Sequence, residues 1–383
     1  MNYWDNAATT WPKPQPVLDA VNRALTRYGA NPGRGGHAMG MAASQEIYRC
    51  RETAARFFHL DNPGAVVFTL NCTMALNMAI KGLLRTSGRV VVSDLEHNAV
   101  MRPLHALSPG RPIYDVAPVT LGDDDATVEA FRRCITPLTR AIVCTHASNV
   151  FGVRLPIRRL GALAREHGIA FVVDAAQTAG IVPIDMQADN IDFLCVAGHK
   201  GLYGPMGTGM LLCSERFAIP SFVEGGTGSQ SLQLAQPDEL PDRFESGTPN
   251  TAGICGLRAG MEWVEARGLA AVYRQELHHV QTMYDAFSGM PGVQMYTPRP
   301  QDDWCVPVLS MNIAGRASVD VGEALDRLGV AVRAGLHCAP SAHRKFGTLP
   351  AGTVRFAPSF FTTQQETMQA VAAVRRCLQT EKR

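Results

Sequence analysis

Through the first two-thirds of the chain, apolar residues fall in short unbroken runs, separated by longer segments in which they recur every three or four positions. Runs at 65–69, 89–93, 140–145, 170–174, 192–196 and 209–213 predict β-strands. Ala170-Phe171-Val172-Val173-Asp174 is apolar without alternation, as in a strand covered on both faces. The intervening segments 73–84, 126–134 and 157–167 carry a helical period. Strand–helix alternation of this kind predicts an α/β fold with a mostly parallel central sheet. Right-handed crossovers then line up the loops that follow the strands along one edge, where ligands bind.

The pattern changes after 222–250, a stretch rich in Gly, Pro, Ser and Gln that reads as loop and domain boundary. Helical periods return at 252–267, 270–288, 319–328 and 363–380, with strand-like runs at 306–313, 330–334 and 353–357. This second part predicts a smaller α+β domain. The expected division is a large domain at 15–245 and a small one built from 1–14 and 246–383.

Composition narrows the class. With 383 residues, 46% of them hydrophobic, the chain exceeds a usual single core. Lys and Arg number 36 against 34 Asp and Glu, which leaves no positive excess to hold a nucleic acid or an anionic membrane. No run approaches the roughly 18 apolar residues of a membrane span. Met1-Asn2-Tyr3-Trp4-Asp5 lacks the basic start and apolar stretch of a signal peptide, so a cytoplasmic location is expected. Of the ten cysteines, Cys144, Cys195 and Cys213 lie inside strand-like runs as small hydrophobes. No Cys-x-x-Cys pair or zinc-spaced Cys/His cluster occurs, so no metal is expected and the thiols are expected reduced.

The basic residues hold the first chemical clue. Only Lys13, Lys81, Lys200, Lys345 and Lys382 are lysines. Lys200 lies in Ala197-Gly198-His199-Lys200-Gly201-Leu202-Tyr203-Gly204, just past a strand. Close-packed glycines leave such a lysine little water, and desolvation lowers its pKa toward that of a nucleophile. Asp174 closes the preceding strand. A lysine and an aspartate at neighbouring strand ends suit pyridoxal phosphate: the lysine forms the Schiff base and the aspartate holds the pyridine nitrogen protonated. Asn71-Cys72-Thr73, between a strand and its helix, is placed to offer helix N-terminal donors to the phosphate.

Eight ordered segments then resemble the class V, fold-type I pyridoxal phosphate enzymes, in particular the cysteine desulfurase and selenocysteine lyase branch. They are Asp5-Asn6-Ala7-Ala8-Thr9-Thr10, Leu95-Glu96-His97-Asn98, Ala147-Ser148-Asn149-Val150-Phe151-Gly152, Asp174-Ala175-Ala176-Gln177, Gly198-His199-Lys200, Glu224-Gly225-Gly226, Arg243-Phe244-Glu245-Ser246-Gly247-Thr248-Pro249-Asn250 and Arg333-Ala334-Gly335-Leu336-His337-Cys338-Ala339. They run nearly end to end.

The resemblance implies a role for each position. Lys200 carries the cofactor and moves the substrate α-proton. Asp174 pairs with the ring nitrogen and Gln177 with the ring hydroxyl. His97 stacks on the ring and shuttles a proton. Cys72, Thr73 and His199 belong to the phosphate cup, with Thr248 supplied by the other subunit of a homodimer. Asn149, Arg333 and Arg355 face the substrate, Arg355 as carboxylate clamp, and His37 lines the entrance. Cys338 takes the sulfur of L-cysteine as a persulfide and leaves L-alanine, with Arg333 and His337 favouring its thiolate.

The resemblance also implies a small-molecule substrate and a protein acceptor for the sulfur. Its alternatives are L-selenocysteine as substrate, or another class V reaction, a C–S lyase or aminotransferase type, that does not use Cys338. Three positions depart from the family pattern: Ala197 stands where a serine is common, Met74 where an acidic residue is common, and Gly201 is an added glycine after the lysine.

Overall fold

Three of the expected runs, Ala170–Asp174, Phe193–Ala197 and Gly209–Cys213, are buried at every residue because helices cover both faces of the sheet they form. The computed structural model, which describes residues 1–32, 36–85 and 87–379, assembles seven strands. Their order is Val66–Thr69, Gly209–Cys213, Phe193–Ala197, Ala170–Asp174, Thr139–Thr145, Arg89–Ser93 and Tyr114–Ala117. Gly209–Cys213 runs against both of its neighbours, and every other pairing is parallel. The α/β class with a mostly parallel sheet is as expected.

Alternate side chains feed two cores. Val173, Leu194, Val196 and Leu212 pack on one face with residues of helices Ala38–Phe57, Ile157–Glu166 and Thr251–Arg267. Val172, Phe193, Cys195 and Leu211 pack on the other with helices Cys72–Leu83 and Asn98–Leu107.

Several elements lie outside the expected set, each for a physical reason. Tyr114–Ala117 is an edge strand with a single partner and mixed exposure, so it presents no apolar run. Helix Ala38–Phe57 buries charges on its inner face, which blurs its period. There Glu46 pairs with Arg258 and Arg51 with Glu245, each at 2.6 Å. Helices Gln15–Arg27 and Asn98–Leu107 were likewise not foreseen. The final helix spans Gln364–Gln379, and Thr380, its expected last residue, lies outside the described residues.

A second, antiparallel sheet has the order Arg333–Gly335, Thr353–Phe356, Leu309–Ile313 and Val293–Met295. Its core takes in Leu277, Val321, Val374 and, from the far end of the sequence, Trp4. The expected strand 330–334 splits in two because its halves serve different partners. Val330–Ala331 pairs in parallel with Asn2–Tyr3, while Arg333–Gly335 joins the sheet. The chain therefore begins in the smaller core and crosses to the larger one. Among the described residues, no helix is long and apolar enough to cross a membrane.

Glycine matters most at Gly209, which opens the reversed strand. A Cβ there would lie 2.6 Å from the backbone carbon of Asn71, at the turn that starts helix Cys72–Leu83. Gly209→Ala is therefore expected to lower stability by about 1–3 kcal/mol through overpacking. Urea unfolding should show a lower midpoint with an unchanged slope.

Candidate active site

The six co-directional strands end along one edge, and there lies a cleft with about 490 Å³ of empty space, counting its open mouth. That size suits a small ligand. Asp174, Gln177, Ala197, His199 and Lys200 line it, with Cys72, Thr73, His97 and Asn149 opposite. Eight of the expected site residues thus come from five separate segments, and Ala197 beside them presents only a methyl group.

Lys200 follows strand Phe193–Ala197 through a turn that only glycine allows. A Cβ on Gly198 would lie 2.3 Å from Thr208 Oγ1, and one on Gly201 would lie 2.5 Å from the Ala179 carbonyl. The added glycine after the lysine is thus a packing requirement. Burial pushes the Lys200 pKa down, with Asp174 opposing that shift. Other described lysines have partners: Lys13 donates to the His199 carbonyl at 2.9 Å, Lys81 lies over Phe222 and Lys345 pairs with Asp94 at 2.7 Å. Lys200 Nζ makes no hydrogen bond or ion pair with the described residues, although it feels the charge of Asp174.

Asp174 is equally prepared. Its Oδ1 accepts the Ala176 N–H at 2.9 Å and the Cys72 thiol at 3.4 Å. Its Oδ2 takes no donor from the described residues. That oxygen keeps access to the cleft rather than being sealed in the core, so it is open to an N–H from a ligand. An unpartnered lysine and a half-satisfied carboxylate, charge-coupled across one cleft yet not in contact, fit the two ends of pyridoxal phosphate. Helix Cys72–Leu83 adds its first-turn N–H groups at Cys72 and Thr73, which have no intrahelical acceptor. Its cap is Asn71, whose side chain accepts the Met74 N–H at 2.9 Å.

His97 caps helix Asn98–Leu107, its Nδ1 accepting the Ala99 N–H at 3.0 Å. That bond leaves Nε2 to carry the proton of the neutral ring. Burial holds its pKa down at about 4, so the imidazole is neutral near pH 7. His199 is held at about 4 for the same reason. Beneath them Glu96 is fully buried, its Oε1 accepting from the Ser93 hydroxyl and from Thr145 N at 3.0 Å. Gln177 lines the cleft while its Nε2 donates to the Ala7 carbonyl at 3.1 Å, which leaves one amide hydrogen free.

On the far side, Arg355 is 1% exposed on strand Thr353–Phe356. Its Nη2 meets Asp5 Oδ1 at 2.6 Å and its Nη1 meets the Asn149 carbonyl at 2.9 Å. Arg333 sits directly across the strand pair from it. Cys338 is exposed, whereas eight of the ten free cysteines are buried. His337 and Cys338 both take left-handed backbone, φ 48° and 58°, which costs a non-glycine residue roughly 1–2 kcal/mol. Two bonds hold that turn in place. Asn98 N donates to the Cys338 carbonyl at 2.7 Å, beside His97, and Asn149 Nδ2 donates to the His337 carbonyl at 2.8 Å. The expectation that His337 supplies positive charge to Cys338 fails. Burial drives its pKa to about 2, and its Nε2 faces the Thr353 carbonyl at 3.0 Å.

His37 and Thr248 lie elsewhere. His37 caps helix Ala38–Phe57, its Nδ1 accepting from Gly40 N. Thr248 is exposed and lines a separate cavity with about 1040 Å³ of empty space, counting its open mouth, together with Tyr48, Arg51 and Glu245. Conversely, sequence reasoning assigned no role to Asp5, Thr10, Lys13 or Glu96. Thr10 N and Lys13 Nζ both donate to the His199 carbonyl, so the N-terminal segment grips the turn that carries Lys200. The scarcity of lysine was the one signal that pointed to Lys13.

Comparisons with known proteins agree with this geometry. The family model for aminotransferase class-V matches residues 2–370. A probable cysteine desulfurase of Methanothermobacter thermautotrophicus is 32% identical over 373 residues, covering 94% of this chain and 91% of that protein. A cysteine desulfurase of Salmonella agona is 31% identical over 385 residues, covering 98% and 92%. Among solved structures, an apo cysteine desulfurase from Thermococcus onnurineus superposes with a TM-score of 0.90 at 30% identity, over 99% of this chain and 94% of that one.

Burial raises the Glu96 pKa to about 8 from an ordinary 4.5, so the folded state holds a proton there that the unfolded chain releases. Its contribution to stability is full below pH 4.5 and falls away as pH rises toward 8. In urea unfolding across that range, the wild type should lose stability relative to Glu96→Gln. Parallel pH profiles would contradict the assignment.

Proposed function

The chain belongs to the aminotransferase class-V family, and from that premise we propose that it is a cysteine desulfurase that moves the sulfur of L-cysteine to Cys338 and releases L-alanine. It is a pyridoxal phosphate enzyme, as that family implies. The observation that carries the sulfur-transfer reading is Cys338 itself, exposed on a turn pinned beside His97 by the Asn98 N–H.

When bound, the cofactor supplies the electron sink for bond breaking at the substrate carbons. Lys200 would anchor it covalently and, once freed, would take the substrate α-proton, which its lowered pKa favours. Asp174 Oδ2 would accept the ring N–H and keep it protonated. Gln177 would meet the ring hydroxyl with its spare amide hydrogen, and Thr73, His199 and the Cys72 N–H would hold the phosphate. His97 would contact the ring and could donate from Nε2 as a neutral imidazole. Arg355 and Arg333 face the substrate carboxylate, and Asn149 orients that side. Arg355 holds the Asp5 carboxylate and Arg333 lies across the strand pair from it, so the two arginines together carry positive charge in excess for a carboxylate ligand.

The Cys338 thiolate attacks the substrate sulfur. The new S–S bond forms as the C–S bond breaks, its electron pair stays with carbon, and that carbon takes a proton to become the methyl group of alanine. Cys338 is left as a persulfide, and no outside oxidant enters. Because the turn is pinned by its own backbone bonds, a protein acceptor has to bring its thiol to Cys338. The reading divides the work between the two domains, with Lys200, Asp174 and His97 from 15–245 and Cys338, Arg333 and Arg355 from the remainder. It includes a homodimer in the cytoplasm, in which Thr248 reaches the partner's cleft and His37 lines the entrance. The exposure of Leu232 and Leu234, in the loop that precedes Thr248, supports that pairing.

The test is to incubate the loaded protein with L-cysteine and a reductant and to quantify alanine and sulfide. Cys338→Ser should lower alanine formation on the order of 100-fold, as expected when one member of a catalytic unit is lost. Equal alanine from both proteins would remove Cys338 from the reaction. Turnover of L-selenocysteine alone would assign the other substrate. Sedimentation at micromolar concentration should report twice the chain mass.

A further inference from the structure

Cys72 opens helix Cys72–Leu83, and its backbone N–H belongs to the free first turn, yet its sulfur turns away from that role. Sγ lies 3.4 Å from Asp174 Oδ1, with both side chains buried. Cys72 packs in the same apolar core as Cys195 and Cys213, but of the three it is the one whose sulfur is bonded to a polar atom. A core filler would place its sulfur against carbon, whereas Cys72 places it against a carboxylate.

The carboxylate needs this. Rotation about the last bond of an aspartate side chain is broad, so one hydrogen bond leaves it loosely set. The Ala176 N–H at 2.9 Å is the other donor to Oδ1, and both donors together turn Oδ2 toward the cleft. We propose that Cys72 is a positioning residue for the cofactor, its thiol locking the Asp174 carboxylate so that Oδ2 meets the ring nitrogen of pyridoxal phosphate. This rests on the cofactor reading alone and holds whichever amino acid is the substrate. The thiol can serve only while protonated. Burial and the negative charge of Asp174 both push its pKa well above the ordinary value, which also keeps it from competing with Cys338 as a nucleophile.

The test compares wild type, Cys72→Ala and Cys72→Ser, each stripped of cofactor and titrated with pyridoxal phosphate. A thiol is a weak donor, and the loss of one ordinary hydrogen bond predicts a Kd about three- to tenfold higher for Cys72→Ala. Cys72→Ser, which restores a donor, should return to within about twofold of wild type. A second readout uses the wild type itself. The infrared S–H stretch that disappears in Cys72→Ser should move to higher frequency on loading, because the ring N–H draws charge from the carboxylate and weakens the thiol's bond. The proposal is overturned if Cys72→Ala binds as tightly as wild type, if Cys72→Ser binds as weakly as Cys72→Ala, or if that band does not move. A wild type that binds no pyridoxal phosphate, with no borohydride-fixed adduct at Lys200, would instead overturn the cofactor reading.

Discussion

A lysine and an aspartate share one desolvated cleft and do not touch, and the rest of the molecule is arranged around that constraint. Were they to pair directly, each would neutralise the other and neither would be free for a ligand. Their strands are parallel neighbours, with Asp174 in register beside Cys195, so the lysine has to be carried past the strand end before it turns in. The glycines at 198 and 201 make that turn possible, because side chains there would strike Thr208 and Ala179. The reversed strand Gly209–Cys213 then brings the chain back along the sheet and buttresses the Asn71 turn on its other side.

The second requirement is to join two cores across the cleft. The N-terminal segment does this, starting in the small core at Trp4 and ending on the Lys200 turn at Lys13. Along the way it meets Arg355 through Asp5 and Gln177 through the Ala7 carbonyl. A guanidinium as buried as that of Arg355 requires a counter-charge. Asp5 supplies one, while the neighbouring Arg333 adds to the positive field. The arginines of the small core and the Lys200–Asp174 cleft at the sheet edge are thereby set relative to one another by backbone and charge.

Sulfur chemistry at this site is decided by surroundings rather than by residue type. Cys338 stands exposed on a turn held by Asn98 and Asn149, whereas Cys72 lies buried against a carboxylate that keeps it protonated. The histidines follow the same logic. His97 and His199 are desolvated enough to remain neutral, so each can offer a hydrogen bond to the cleft but carries no positive charge near pH 7.

The central sheet was legible because well-buried strands leave unbroken apolar runs, and six of its seven strands carry such runs at 66–69, 89–93, 139–145, 170–174, 193–197 and 209–213. The edge strand Tyr114–Ala117 and the charge-bearing helix Ala38–Phe57 were not legible, because one is covered on too little of its surface and the other buries ion pairs. Lys200, Asp174 and Cys338 announced themselves through local context: glycines around a rare lysine, a carboxylate closing an apolar strand, and a cysteine in a polar loop. By itself, then, the sequence determined the fold class, the pair of charges and the candidate thiol, since each is written within a few consecutive residues. Only the tertiary structure decided that Asp5 lies on Arg355, that Lys13 holds the His199 carbonyl, that Cys72 faces Asp174 and that His337 is turned away from Cys338. Apart from the His337 turn, these contacts join residues that lie 102 to 350 positions apart, and no local pattern encodes a contact that exists only once the two cores close on each other.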